Sequence, residues 1–183
     1  MTKIVLLAAG KSTRTTSMKQ LYKIDGEYLI NIQIQKLLNY GFEVVVVLGH
    51  NYEDILSILD KRVEVVLNEN YEKGMFSSVK SVFNLLNVER FLFCHVDRPI
   101  ADKTLFEALI RTDYHVGVAY CCEKKAPPIL IDYSMKERLL ATKEKRLDYW
   151  IESLQEVDYI VVDDEKIHFN ANSDEKLKEY FKG

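Results

Sequence analysis

Residues Glu43 to His50 read EVVVVLGH, and the unbroken valine row from Val44 to Val47 limits the folds open to this chain. A β-strand turns successive side chains to opposite faces, so such a row presents apolar groups on both. It is stable only with both faces covered, as in a parallel sheet flanked by helices. Ile4 to Ala8, Val63 to Leu67 and Phe91 to Val96 read as further strands, and beyond Tyr114 so do HVGVAYC and Ile129 to Ile131. Asp54 to Leu59 reads as a short helix, and Val79, Val82, Phe83 and Leu86 follow the spacing of an amphipathic one. In Leu29 to Tyr40 the alternating Ile30, Ile32 and Ile34 suggest a strand, but the length, Leu37, Leu38 and the stop at Gly41 favour a helix. Met135 to Ala141, KRLDYWIESL and the stripe Leu177, Tyr180 and Phe181 complete the helices. Strands alternating with helices mark an α/β fold. The expectation is a three-layer α/β/α, Rossmann-like nucleotide-binding domain with a mostly parallel sheet, a single domain over residues 1–183.

Composition narrows the function. With 48% hydrophobic and 29% charged residues the chain is ordinary for a globular protein, and no window reaches the roughly 18 apolar residues of a membrane span. No signal peptide precedes the first strand, so a cytoplasmic location is expected. Cys94, Cys121 and Cys122 form neither a disulfide framework nor a CxxC pair and are expected to be packing residues. The four histidines are scattered, without HExxH spacing, and no G-x-S-x-G elbow occurs.

The chemistry concentrates in KIVLLAAGKSTRTTSMK, Lys3 to Lys19. A buried strand that breaks at Gly10 leaves backbone N–H groups pointing outward, natural partners for phosphate oxygens. Lys11, Arg14 and Lys19 make the segment cationic, and the first acid in the chain is Asp25. In a protein of formal charge −3 that asymmetry favours a small anionic ligand over a nucleic-acid or membrane surface. AAGKST resembles the end of a Walker A loop, but that pattern needs a glycine where Val5 stands. The dinucleotide fingerprint fails as well, for want of a glycine two positions after Gly10. A second landmark is Asp97, at the carboxyl end of the strand Phe91 to Val96, with Pro99 forcing a turn. Ligands of open α/β sheets gather at that rim, and a carboxylate beside a triphosphate is the ligand magnesium prefers.

These segments together resemble the MobA/MocA-like nucleotidyltransferases, whose first loop runs roughly L-A-A/G-G-x-S-x-R-M-G-x-x-K. Leu7, Ala8, Ala9, Gly10, Ser12, Arg14 and Lys19 fit it, whereas Thr15-Thr16 replace Met-Gly. Asn70, Gly74, Met75, Ser77 and Ser78 match a segment that lies beside the nucleotide in cytidylyltransferase-like members; read alone, the same serines would cap a helix. Asp97 and Pro99 match the metal motif D-x-P, with His95 packing beneath the site. Pro127-Pro128 would mark a loop framing the acceptor, Pro128 fitting a family proline. Asn170 and Asn172 stand where the family brings polar side chains to metal and phosphates; alone, Asn172 and Glu175 would cap a helix, and Asp163-Asp164 would turn between two terminal strands.

The resemblance implies transfer of a nucleoside monophosphate from an NTP to a phosphorylated acceptor, molybdopterin, with release of pyrophosphate. Leu7 to Ser12, Asn70, Gly74, Ser77 and Ser78 would bind nucleotide, Arg14, Lys19 and Asp97 would be catalytic, and Asp97, Asn170 and Asn172 would face Mg2+. CTP is favoured over GTP by Ala8-Ala9-Gly10 and GMFSSV, although FNAN and the Trp150 helix resemble the guanylyl branch. A molybdoenzyme or its chaperone is a partner the resemblance allows. The rival readings are a nucleotidyltransferase for a sugar phosphate or phospho-alcohol and a non-catalytic nucleotide binder. Because Asp97 ends a strand rather than sitting in the core, its removal is expected to leave the fold nearly intact.

Overall fold

The computed structural model describes residues 1–11, 18–171 and 173–180. The elements run β1 (Thr2–Leu7), β2 (Lys23–Ile24), β3 (Glu27–Tyr28), α1 (Leu29–Asn39), β4 (Val44–Leu48), α2 (Tyr52–Ile58), β5 (Glu64–Leu67), α3 (Met75–Leu85) and β6 (Arg90–His95). There follow α4 (Lys103–Ile110), β7 (Val116–Cys121), β8 (Lys124–Asp132), α5 (Lys136–Ala141), α6 (Leu147–Glu152), β9 (Asp158–Val161) and α7 (Asp174–Tyr180). Seven strands form the central sheet in the order β5-β4-β1-β6-β8-β7-β9, with β8 antiparallel to both neighbours and every other pairing parallel. β2 and β3 make a separate small hairpin.

The valine row behaves as its pattern requires. Val44 and Val46, with Ile4 and Leu6, enter one core, which also holds Ile30, Ile34 and Leu37 of α1 and Phe106 and Leu109 of α4. Val45 and Val47, with Val5 and Leu7, enter the other, beneath Phe76, Val79, Val82 and Phe83 of α3 and Trp150 and Ile151 of α6. Burying a side chain of this size contributes about 1.5–3 kcal/mol, so two filled faces hold β1 and β4 in place and fix where their ends point. Leu29, Ala171 and Leu177 form a third, smaller cluster that ties the C-terminal helix to the start of α1.

Several local expectations are corrected. Pro127 and Pro128 lie inside β8 rather than in a loop. They fall where the β7/β8 register slips, between the pairs Val118↔Ile129 and Ala119↔Ala126, so no ladder N–H is required of them. Cys94 and Cys121 are packing residues, but Cys122 is exposed at the β7–β8 turn with φ 51. No serine caps α3, whose N-cap is Gly74. Ser173 accepts from the Lys176 N–H at the start of α7, while Asn172 lies outside the described residues. Asp164 does not join two strands; its carboxylate accepts from the Lys166 N–H and caps a 3-10 turn, Glu165–His168.

Candidate functional site

Because β1 and β6 are parallel neighbours with Leu7 opposite His95, the segments leaving their carboxyl ends emerge side by side. The Val96 N–H bonds the Leu7 carbonyl at 3.2 Å, and the Ala8 N–H bonds that of Val47 at 2.9 Å. A cavity of about 340 Å3 opens there, lined by Leu7, Ala8, Ala9, Gly10, Lys11, Lys19, Gly74, Ser78 and Asp97 among the residues anticipated from sequence. Asn70 and Ser77 do not line it: Asn70 is exposed, and the Ser77 hydroxyl is turned to the Gly74 and Asn70 carbonyls at 2.7 and 2.9 Å. Ser12, Arg14 and the Thr15-Thr16 pair lie outside the described residues.

Lys19 begins a short 3-10 turn, and its ammonium donates to Asp97 Oδ2 at 2.8 Å, with both side chains largely withdrawn from water. The next residue, Gln20, is buried and donates its amide N–H to the carbonyls of Ala8 at 2.6 Å and Gly10 at 3.1 Å. This clasp returns the chain after the glycine loop to the end of β1. Sequence reasoning missed Gln20, since a glutamine beside a lysine carries no distinctive spacing.

Asn68, at the end of β5, was also missed. It is 2% exposed and serves as a hub, its amide donating to Ser77 Oγ at 2.8 Å and Ser78 Oγ at 2.9 Å. Its Oδ1 accepts from the Asn70 N–H at 2.9 Å, which fixes the orientation of the amide. Ser78 thus accepts from Asn68 and can donate its own proton into the cavity. Gly49 admits the same wall closely: a Cβ there would lie 2.7 Å from the Tyr71 Cβ and 2.9 Å from both the Ala9 Cβ and the Ala9 carbonyl.

A second cavity of about 540 Å3 adjoins the first, sharing Gly74, Met75 and His95. Phe76, Val118, Ile129, Leu147 and Ile151 give it apolar walls, and Lys73, Arg98, Lys125, Lys145 and Arg146 give it cationic ones. Consecutive residues part here: Asp97 lines the first cavity and Arg98 the second. His95 is therefore a partition, not packing beneath the site. Burial pushes its imidazole down to about 4, opposed by Asp97 and aided by the Arg98 charge, so it is neutral at pH 7. Burial also lowers the Arg98 guanidinium, against the pull of Asp97. At the mouth of the first cavity the Lys11 ammonium is raised by its hydrogen bond to Glu72, whose carboxyl it lowers in turn.

Residues 4–157 match the family described as MobA-like NTP transferase domain. The chain belongs to that family. MobA-like NTP transferase domains are nucleotidyltransferases, which agrees with a cationic, glycine-bounded cavity facing a carboxylate. Among curated proteins, the bifunctional protein GlmU of Thermosipho melanesiensis is 34% identical over 107 residues, 56% of this chain and 23% of that longer protein. Among solved structures, Rv0371c of Mycobacterium tuberculosis superposes with a TM-score of 0.84 at 14% identity, covering 100% of this chain and 98% of the other. The molybdopterin-guanine dinucleotide biosynthesis protein A of Archaeoglobus fulgidus gives 0.76 at 18%, covering 98% and 97%. At such identities these likenesses show a shared fold.

Nucleotidyltransferases of this kind commonly use divalent metals, and Rv0371c is known in complex with manganese. The donor atoms here fit a hard cation. Asn170 Oδ1 is buried without a hydrogen-bond partner, and the next residue, Ala171, donates its N–H to the Asp97 carbonyl at 2.8 Å. A carboxylate and an unsatisfied neutral oxygen on adjoining segments suit an ion that takes its remaining ligands from phosphates and water. Among the described residues no group of three or more His, Cys, Asp or Glu forms an all-protein cage.

Proposed function

We propose that this chain is a Mg2+-dependent nucleotidyltransferase that moves a nucleoside monophosphate from an NTP, CTP in preference to GTP, to the phosphate of an acceptor, releasing pyrophosphate. The observation that carries this reading is the pair of adjoining cavities, one with Asp97 and Lys19 at the rim of β1 and β6, the other with Arg98 and further cations. A phosphate oxygen of the acceptor forms the new bond to the α-phosphorus as the bond to the leaving pyrophosphate breaks. The attacking group is already an anion, so the reaction asks for positioning and charge neutralisation rather than a protein base. Asp97 and Asn170 would hold a divalent metal, with Asn172 as a further proposed ligand, and the metal would supply charge neutralisation at the phosphates.

The chain's own groups do the rest. Backbone N–H groups about Gly10 bind the phosphates, with Lys11, Lys19 and Arg14 adding charge and Ser12 a hydroxyl donor. Gly74 and Ser78 face the nucleotide, while Asn70 and Ser77 support that wall through their bonds to Asn68 and Gly74. The preference for CTP rests on the small residues Ala8 and Ala9 lining a compact cavity, Ala9 on the side where Tyr71 packs. Molybdopterin is the acceptor that the family resemblance favours. A sugar phosphate is the alternative, since a cationic cavity with apolar walls accommodates either. The reading is of a single-domain cytoplasmic enzyme that acts on small molecules; separately, the described residues hold no helix long and apolar enough to cross a membrane. Pyrophosphate release, measured with each NTP against molybdopterin and against a panel of sugar phosphates, tests the reading. Release with CTP and molybdopterin supports it; nucleotide binding without turnover on any acceptor contradicts it.

A further inference from the structure

Arg98 carries a charge that its surroundings leave largely unanswered. Its Nε is buried with no hydrogen-bond partner, and among the described residues its side chain makes one hydrogen bond, from Nη1 to the Ile167 carbonyl at 3.3 Å. The adjacent carboxylate of Asp97 is engaged by Lys19 at 2.8 Å. A guanidinium offers five N–H donors in a fixed fork that matches phosphate geometry, and withdrawing it from water is costly unless an anion answers it. An arginine kept for structure would have its fork filled by carbonyls or carboxylates. This one has a single carbonyl partner and lines the second cavity, two of whose other cations are satisfied already: Lys125 pairs with Glu152, and Arg146 with Asp148 at 2.6 Å.

We propose that Arg98 is a specificity-determining residue that seats the anionic phosphate of a phosphomonoester acceptor in the second cavity and so excludes neutral alcohols. The proposal rests on the nucleotidyl-transfer reading and deepens it, by naming the residue that sets the charge the acceptor must carry. His95 lines both cavities, so a phosphate on Arg98 lies across that partition from the nucleotide. The anion site is built from this chain's residues alone and exists before nucleotide or metal binds.

The test is calorimetric titration of the full chain with inorganic phosphate, metal chelated and nucleotide absent, in the parent, Arg98→Met and Arg98→Lys. Phosphate affinity should fall at least tenfold in Arg98→Met and recover partly in Arg98→Lys. The dissociation constant for CTP with magnesium should stay within twofold in both. Thermal unfolding separates a structural role, because replacing an unanswered buried charge by an apolar isostere should hold or raise the melting temperature. Phosphate affinity unchanged within twofold in Arg98→Met, no phosphate binding by the parent, or a lowered melting temperature accompanied by loss of CTP binding would each overturn the proposal. If no nucleotide binds the parent while phosphate binding still depends on Arg98, the nucleotidyl reading fails and the anion seat stands.

Discussion

The two cavities that meet at His95 handle charge in opposite ways. On the β1 side the cations are answered within the protein, Lys19 by Asp97 and Lys11 by Glu72. On the β8 side Lys125 and Arg146 are paired, but Arg98, whose Nε is buried, has no carboxylate bonded to it among the described residues. A triphosphate arriving in the first cavity must exchange one ion pair for another, so it gains little from Lys19 unless Asp97 finds a new cation. This couples metal and nucleotide at Asp97. An anion arriving at Arg98 has no ion pair to break there, since the one hydrogen bond of that side chain among the described residues goes to the Ile167 carbonyl.

Asp97→Ala probes the answered side with the largest expected effect. Loss of a preorganised electrostatic group should lower turnover by about 10²–10³-fold. Contrary to the expectation from its place at a strand end, the substitution should also destabilise the fold, because Lys19, only 9% exposed, loses the carboxylate that answers its charge. Breaking a fully buried pair costs about 3–5 kcal/mol; with Asp97 21% exposed, about 1–3 kcal/mol is expected by denaturant unfolding. Adding Lys19→Met should restore most of that stability and none of the turnover. An Asp97→Ala variant with near-normal pyrophosphate release would break the assignment.

Gly49→Ala sharpens the contrast by moving a wall of one cavity only. Its Cβ would meet the Ala9 backbone and the Tyr71 Cβ at 2.9 and 2.7 Å, so the turn at Tyr71 must shift. Overpacking of this kind costs about 1–3 kcal/mol, and CTP affinity should drop while phosphate binding at Arg98 holds. Equal losses for both ligands would show that the cavities do not behave independently. Asn68→Ala should act in the same direction by a smaller amount, leaving the Asn70 N–H and Ser78 Oγ without their partner at about 1–3 kcal/mol before water relieves the more exposed groups. Its signature is a weaker CTP interaction at unchanged phosphate affinity; unaltered CTP binding would remove Asn68 from the site.

What the sequence disclosed follows from periodicity. The valine row, the break at Gly10 and the strand end at Asp97 are local signals, and the sheet places them as their patterns imply, with Leu7 opposite His95. Asn68, Gln20 and Arg98 were not legible as site residues because their importance lies in tertiary surroundings: a serine pair nine and ten residues on, the carbonyls of Ala8 and Gly10, and a cavity wall where a guanidinium nitrogen is buried without a partner. Pro127-Pro128 misled for a related reason, since a proline is excluded from a strand only where a ladder bond is required, and the register slip removes that requirement.

The most direct measurement is the thermal shift of the chain with magnesium and CTP, GTP, UTP or ATP in turn. A ligand at about 100 times its dissociation constant stabilises by about 2.7 kcal/mol, which raises the melting temperature of a domain this size by several degrees. The account predicts the largest shift with CTP and its loss on chelation of the metal. A larger shift with GTP would overturn the cytidylyl preference, and no shift with any nucleotide would contradict nucleotidyl transfer itself.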